Sequence, residues 1–311
     1  MAVVSDVRPY SVASIADTDT DTPLGGAINT SRTIEFLDSP GLVQLVSSDA
    51  GDVGPPNVLV IGLDAGDNIV QELHQPNGLT PVPFTTTFAQ LLKMTASAAA
   101  IGDLTIENQV ATDTGTASAG TTNTITCPTA PAGLAGQIIR LTGGTDAGEI
   151  RLIIQQVGQE LTVSRAWTTP PDGSTTYRVS PGFFLQSTPF SALQSRRLFY
   201  NAVADSAAVK ILYDKFFFRN DHGAATIPTP ILSMTDPSGL VRFGLAVILN
   251  DVLTTTDRLT APPGITFGTG PQAVPSLTPG DRIGVWVEIT IPAAFVGLID
   301  TQDIFSLAWT A

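Results

Sequence analysis

The stretch VKILYDKFFFRN, residues 209–220, decides how the rest of the chain is read. Aromatic residues make up only 7% of the composition, yet Tyr213, Phe216, Phe217 and Phe218 crowd together here. Side chains of a strand alternate between its two faces. Leu212, Phe216 and Phe218 therefore share one face, and Ile211, Tyr213 and Phe217 the other. Both faces are largely apolar. Such a strand is sandwiched between layers, or has one face in a core and the other against a neighbour. At about 25 cal/mol per Å2 and about 150–200 Å2 per ring, the three phenylalanines contribute at most about 10 kcal/mol of burial. Trp286, in the apolar run GVWVEI, belongs to the same class. Tyr213, Phe216, Phe217, Phe218 and Trp286 are thus the core or interface candidates.

Outward from this strand, helical periodicity is scarce. Short apolar runs recur about every 8–12 residues, separated by turn residues, the pattern of all-β sandwiches and barrels. The 28 glycines and 23 prolines fall mostly in those separators. The expected fold is all-β, with two or three antiparallel β-sandwich or barrel-like domains and extended arms. Residues 1–23 read as an acidic arm and 24–107 as an N-terminal β-domain. Residues 108–180 read as a small antiparallel module and 181–311 as a C-terminal β-domain.

In the N-terminal domain, strands are expected at 41–47, 57–63, 68–74 and 102–106, with a tight hairpin at Asn77-Gly78. FAQLLKMTASAAA (88–100) is the best helix candidate, with a long strand as the alternative. In the module, a hairpin turns at Val157-Gly158, with Ile150, Leu152 and Ile154 on one face and Leu161 and Val163 returning. In the last domain, further strands are expected at 228–235, 240–249, 282–291 and 303–309. The proline-rich segment 260–280 has the form of a loop lying across a partner.

Charged residues are 14% of the chain, where about 25% is usual. A lightly charged surface suits contact with other protein, because burying charge is costly. The net charge of −13 argues against nucleic acid and against an anionic membrane surface as partners. No apolar run approaches the roughly 20 residues of a membrane helix. The N-terminus MAVVSDVRPYSV does not read as a secretory signal. Cys127 is the only cysteine, which leaves no intrachain disulfide and no multi-cysteine metal site; the expectation is a small buried thiol.

Catalytic patterns are missing. DTDTDT, with Asp17, Asp19 and Asp21, begins like a calcium loop, but Thr22 and Ile28 stand where glycine and glutamate are required. A solvated acidic arm is the expectation, with a cation site as its rival. FGTGPQA (267–273) and TGGTDAGE (142–149) lack the helix or the Lys-Ser/Thr pair of phosphate-binding loops and read as turns. His74 and His222 have no nucleophile elbow beside them. Trp167, Trp286 and Trp309 sit in strand-like apolar contexts, where core is the default. No catalytic, cofactor-binding or metal residues are assigned.

Residues 56–108, with GLDAGDNIVQE, NGLTPV and GDLTI, resemble segments of tailed-bacteriophage virion proteins. Residues 141–179 resemble a small β-module also met in phage structural proteins, with Trp167, Asp172 and Tyr177. YDKFFFRN, APPGITF and PGDRIGVWVEITIPA resemble a C-terminal β-domain of such proteins. The resemblance implies a non-enzymatic structural subunit of the virion, made in the bacterial host cytoplasm. It would be tail-associated, with capsid decoration as the near alternative. It would assemble with copies of itself, as a trimer or ring, and with other capsid or tail subunits. An adsorption protein binding a host-surface glycan or receptor is the rival of another class, and an envelope-degrading enzyme a further one.

Overall fold

The computed structural model describes residues 7–15, 23–33, 41–66, 68–164, 166–185, 193–196, 198, 208–236, 238–293 and 304–308. The fold is all-β, and no helix occurs among the described residues. The chain divides into two compact units, one of Met1–Ile34 with Arg197–Ala311 and one of Glu35–Arg196.

The first unit starts with β1 (Val7–Ser14) and β2 (Leu24–Thr33). The second unit then runs through β3 (Gly41–Ser47), β4 (Val58–Leu63), β5 (Ile69–His74), β6 (Val82–Phe88), β7 (Gln90–Ala96) and β8 (Leu104–Asn108). It continues with β9 (Asp113–Thr116), β10 (Ala119–Gly120), β11 (Thr124–Thr126), β12 (Ile138–Gly143), β13 (Ile150–Val157), β14 (Glu160–Val163) and β15 (Thr176–Ser180). Strands β16 (Gly182–Leu185) and β17 (Leu193–Arg196) complete it. The chain returns to the first unit with β18 (Lys210–Asn220), β19 (Ile231–Thr235), β20 (Val241–Leu245), β21 (Thr254–Thr255), β22 (Gln272–Ala273), β23 (Arg282–Ile291) and β24 (Ile304–Ala308).

In the first unit, β18 lies at the centre of the order β20-β23-β18-β1-β2, with β21 on β2. Its ladder with β23 runs from Lys210 opposite Ile291 to Arg219 opposite Arg282. Leu212, Phe216 and Phe218 face a core shared with Val285, Val287 and Phe243. The sheet β22-β19-β24 and the loops around it close this core through Leu232, Ile227, Val274 and Leu277. The opposite face of β18 is also buried. Tyr213 and Trp286 pack with Leu24, and Phe217 packs with Val12 and Ile15. Both apolar faces are thus covered from within the chain.

Segment 246–268 supplies part of that cover. Phe267 packs on Tyr213 with ring centroids 5.5 Å apart, and Gly268 bridges to Phe243. The proline-rich loop crosses its own domain, and Val274 and Leu277 anchor its far end in the core. Its close approach needs small residues below it. A Cβ on Gly244 would lie 2.5 Å from Ile265 Cγ2, and one on Gly284 would lie 2.3 Å from Asp251 Oδ2.

Residues 1–23 do not form one arm. Val7–Ser14 is a sheet strand with Tyr10 opposite Phe217, and Leu24–Thr33 joins the same unit. Pro9 argues against a central strand because proline cannot donate to a ladder. Pro9 nonetheless lies in the β1–β18 ladder, opposite Phe218. Asp17, Asp19 and Asp21 lie outside the described residues, as does Trp309. The 181 boundary also moves: β16 pairs with β8 and β17 with β7, both inside the second unit.

In the second unit, β16-β8-β3-β6 and β17-β7-β4-β5 enclose Val43, Leu45, Val60, Phe84, Met94 and Ile106. The expected strands at 41–47, 57–63, 68–74 and 102–106 match β3, β4, β5 and β8 to within two residues. The 88–100 helix is not formed. Phe88 ends β6, and β7 is a strand with a register shift where Gly62 pairs Leu91 but Ile61 pairs Lys93. Leu92 is the extra residue of that bulge. The bulge resets the alternation, so Leu91, Met94 and Ala96 all point inward. That spacing of three imitates a helical period.

The expected module forms its own sheet, β10-β11-β14-β13-β12-β15-β9. Ile125, Ile139, Ile153, Leu161, Val163 and Tyr177 share one core there, with Cys127 and Trp167. The hairpin turns at Gly158, whose φ is +61°. Ile150 packs with Ile138 away from that core, Leu152 and Ile154 are half-buried, and Ile153 is the residue that enters. A bulge between Ile153 and Gln155 breaks the alternation.

Gly284→Ala places a methyl group against Asp251 and Lys215, whose Cε lies 3.0 Å from the added Cβ. The expected cost is about 1–3 kcal/mol, as for other overpacked sites. Urea unfolding checks it: the midpoint falls with an unchanged slope.

Candidate functional site

The five aromatic candidates are all buried, in layers on opposite sides of β18 and β23. Phe216 and Phe218 meet edge-to-face at 5.2 Å on one side. Tyr213 and Trp286 come together on the other, with Phe217 in an adjoining cluster. Between Tyr213 and Phe217 the alternation of β18 places Lys215 on the same face. It is directly opposite Trp286 in the ladder.

Lys215 is the central polar group of this face. Its Nζ donates to Asp251 Oδ1 at 2.6 Å and to the Leu253 carbonyl at 3.1 Å. The Phe217 ring lies 4.7 Å from Nζ and the Trp286 ring 5.1 Å. Burial lowers the Lys215 pKa, Asp251 opposes that fall, and the Arg282 charge adds to it. Beside it, burial raises the Tyr213 pKa, with the charge of Glu288 adding. Glu288 stands opposite Tyr213 on β23 and is paired with Arg242 of β20. Lys215 was legible in principle, because period two puts it on an apolar face. Asp251 lies in a loop with no periodic pattern to mark it.

Among the described residues of the second unit, further polar clusters form around Glu107, Tyr177 and Glu72. Glu107 of β8 is buried and accepts from Gln44 Nε2 at 2.6 Å, Arg140 Nη2 at 2.9 Å and Ser180 Oγ at 3.2 Å. It ties the 108–180 sheet to the strands that precede it. Tyr177 donates to Asp113 at 2.9 Å and contacts Thr129 at 3.0 Å. Nearby, burial pushes the Cys127 thiol up to about 12, which keeps it protonated and unreactive. Glu72 contacts His74 Nε2 at 2.7 Å and accepts from the backbone N–H groups of Thr85 and Thr86. It thereby caps outward donors of β6.

The histidines serve local structure. His74 stacks on Phe84 at 4.5 Å. His222 Nδ1 accepts from the N–H groups of Ala224 and Ala225, closing the turn after β18. The segment 142–149 is a turn, with Gly144 and Gly148 at φ of +96° and +101°, whereas 267–273 runs from the Gly268–Phe243 bridge into β22 and is not the expected turn. Trp167 lies in the module core, with the Arg151 guanidinium 5.1 Å from its ring. No group of three or more His, Cys, Asp or Glu able to hold a metal occurs among the described residues. Outward-facing aliphatic residues do cluster by sequence. Ile69 and Leu73 alternate along β5, the last strand of its sheet, and Val247, Ile248 and Val252 expose their side chains in the loop after β20.

Compared with protein-family models, curated proteins and solved structures, the chain matches none.

One outcome follows from these contacts. Lys215→Met leaves Asp251 buried without its partner and is expected to cost about 3–5 kcal/mol in urea unfolding. A variant as stable as the wild type contradicts the assignment.

Glu72 behaves differently with pH. Burial alone would raise its pKa, but hydrogen bonds from His74, Thr85 and Thr86 outweigh it and hold the carboxyl at about 2. A depressed carboxylate stabilises the fold above its ordinary pKa of 4.5, and that contribution is lost as pH falls through about 2. The stability gap between wild type and Glu72→Gln should therefore shrink across this window. A gap that stays constant across it rules out the carboxylate as its source.

Proposed function

We propose that this chain is a non-enzymatic structural subunit of a tailed-phage particle, tail-associated, working through repeated contacts with copies of itself and with other virion proteins. The observation that carries the reading is the run of segments at 56–108, 141–179 and 213–293 that resemble phage virion β-domains. Supporting it, each of these segments lies in an all-β unit with its own closed core. The polar clusters are spent on holding strands and loops together. The charge-poor composition and the outward-facing Ile69, Leu73, Val247 and Ile248 leave apolar area for subunit contacts.

Quantitative mass spectrometry of purified particles, with head and tail fractions separated, tests this. Recovery in tails at roughly three to twelve copies means a closed ring or fibre position, and on the order of hundreds means a tube wall. Recovery in heads means decoration. Absence from particles overturns the reading and favours an adsorption factor acting elsewhere or an enzyme.

A further inference from the structure

Lys215 and Asp251 meet in surroundings hostile to an ion pair. Their side chains are 0% and 6% exposed, and Nζ lies 2.6 Å from Oδ1 between the rings of Phe217 and Trp286. Holding two charges there is costly. Moving one proton from Nζ to the carboxyl removes both charges and leaves a neutral amine against a neutral acid. Burial already favours the neutral amine, with Asp251 opposing.

The two carboxyl oxygens have different environments. Oδ1 accepts from the backbone N–H of Leu253 at 3.0 Å, a fixed donor suited to an oxygen that gains negative charge during attack at the carbon. Oδ2 is buried and has no hydrogen-bond partner. The Leu253 and Gly26 carbonyls, at 3.1 and 3.4 Å, hold Nζ in place beside the carboxyl group. Amine and acid are thus fixed in contact, which removes the entropic cost of bringing them together.

We propose that Lys215 and Asp251 join in an intramolecular amide crosslink. Nζ bonds to Cγ, the Cγ–Oδ2 bond breaks, and Oδ2 leaves as water with two of the three ammonium protons. Oδ1 becomes the amide oxygen and keeps its Leu253 donor. Charge and atoms balance without oxidant, reductant or co-reactant. The bond ties the middle of β18 to the loop that covers it. It stands on this geometry alone and is independent of a place in a virion.

Intact-mass measurement of the purified, denatured full-length chain decides it. The expected mass is one water below that of the same chain carrying an unmodified lysine and aspartate. Digestion should release a branched peptide joining the segments of Lys215 and Asp251. Lys215→Arg should restore the missing water, after allowance for the substitution itself. A wild-type chain at full mass with both residues recovered in linear peptides overturns the proposal, as does a water loss that persists in Lys215→Arg.

Discussion

Covering both faces of one strand is the constraint on which the first unit depends. An exposed Phe216 or Phe217 would forfeit the stabilisation of a buried ring, so β18 needs a layer above and a layer below. One layer is the β22-β19-β24 sheet with its loops, meeting Leu212, Phe216 and Phe218. The other face is covered by side chains from the neighbouring strands β1 and β2 and by segment 246–268. That second layer comes from parts of the chain far apart in sequence. The N-terminal strand is therefore built into the sheet, with the Tyr10 hydroxyl donating to Asp221 just beyond the end of β18.

The second layer is irregular, and polar groups hold it where a ladder does not. Lys215 reaches out of β18 to Asp251 and to the carbonyls of Leu253 and Gly26. Gly284 leaves room for this contact in the neighbouring strand. A similar economy appears in the second unit. There Asp52 accepts from Ser47 Oγ and from the N–H groups of Ile101 and Gly102, joining two loops, while Glu107 joins strands of two sheets. In a chain with so few charges, the buried ones sit at junctions between segments.

The all-β class and the strands β3, β4, β5, β8, β18 and β23 were legible as short apolar runs bounded by turn residues. Where a bulge intervenes, the facing of individual residues is lost even if the strand itself is legible. Phe84, Phe88 and Leu92, spaced by four, fit a helix as well as a strand, and Leu92 proves to be the extra residue of a bulge in β7. The first strand was obscured by Pro9 and by a polar neighbourhood, although Tyr10 and Val12 alternate correctly. Of the candidate site, the five aromatics and Lys215 could be placed by alternation. Asp251 could not, since no local pattern links a loop carboxylate to a strand more than thirty residues away.

These features bear on how the first unit would carry a load. The β18–β23 ladder is long and regular, so pulling along it must break many backbone bonds together. Segment 246–268 has few such bonds: the Gly268–Phe243 bridge, the short β21 pairing and isolated contacts such as Ala246 to Gly284. It is the part of the cover held mainly by side chains, and local opening begins where backbone pairing is sparse. Opening it would expose Tyr213, Trp286 and Phe217 together and bring water to Lys215. A tie between Lys215 and Asp251 acts at this weak point, early in the loop and halfway along the strand. A fastening there adds more resistance to opening than one within the ladder, where cooperativity already resists rupture.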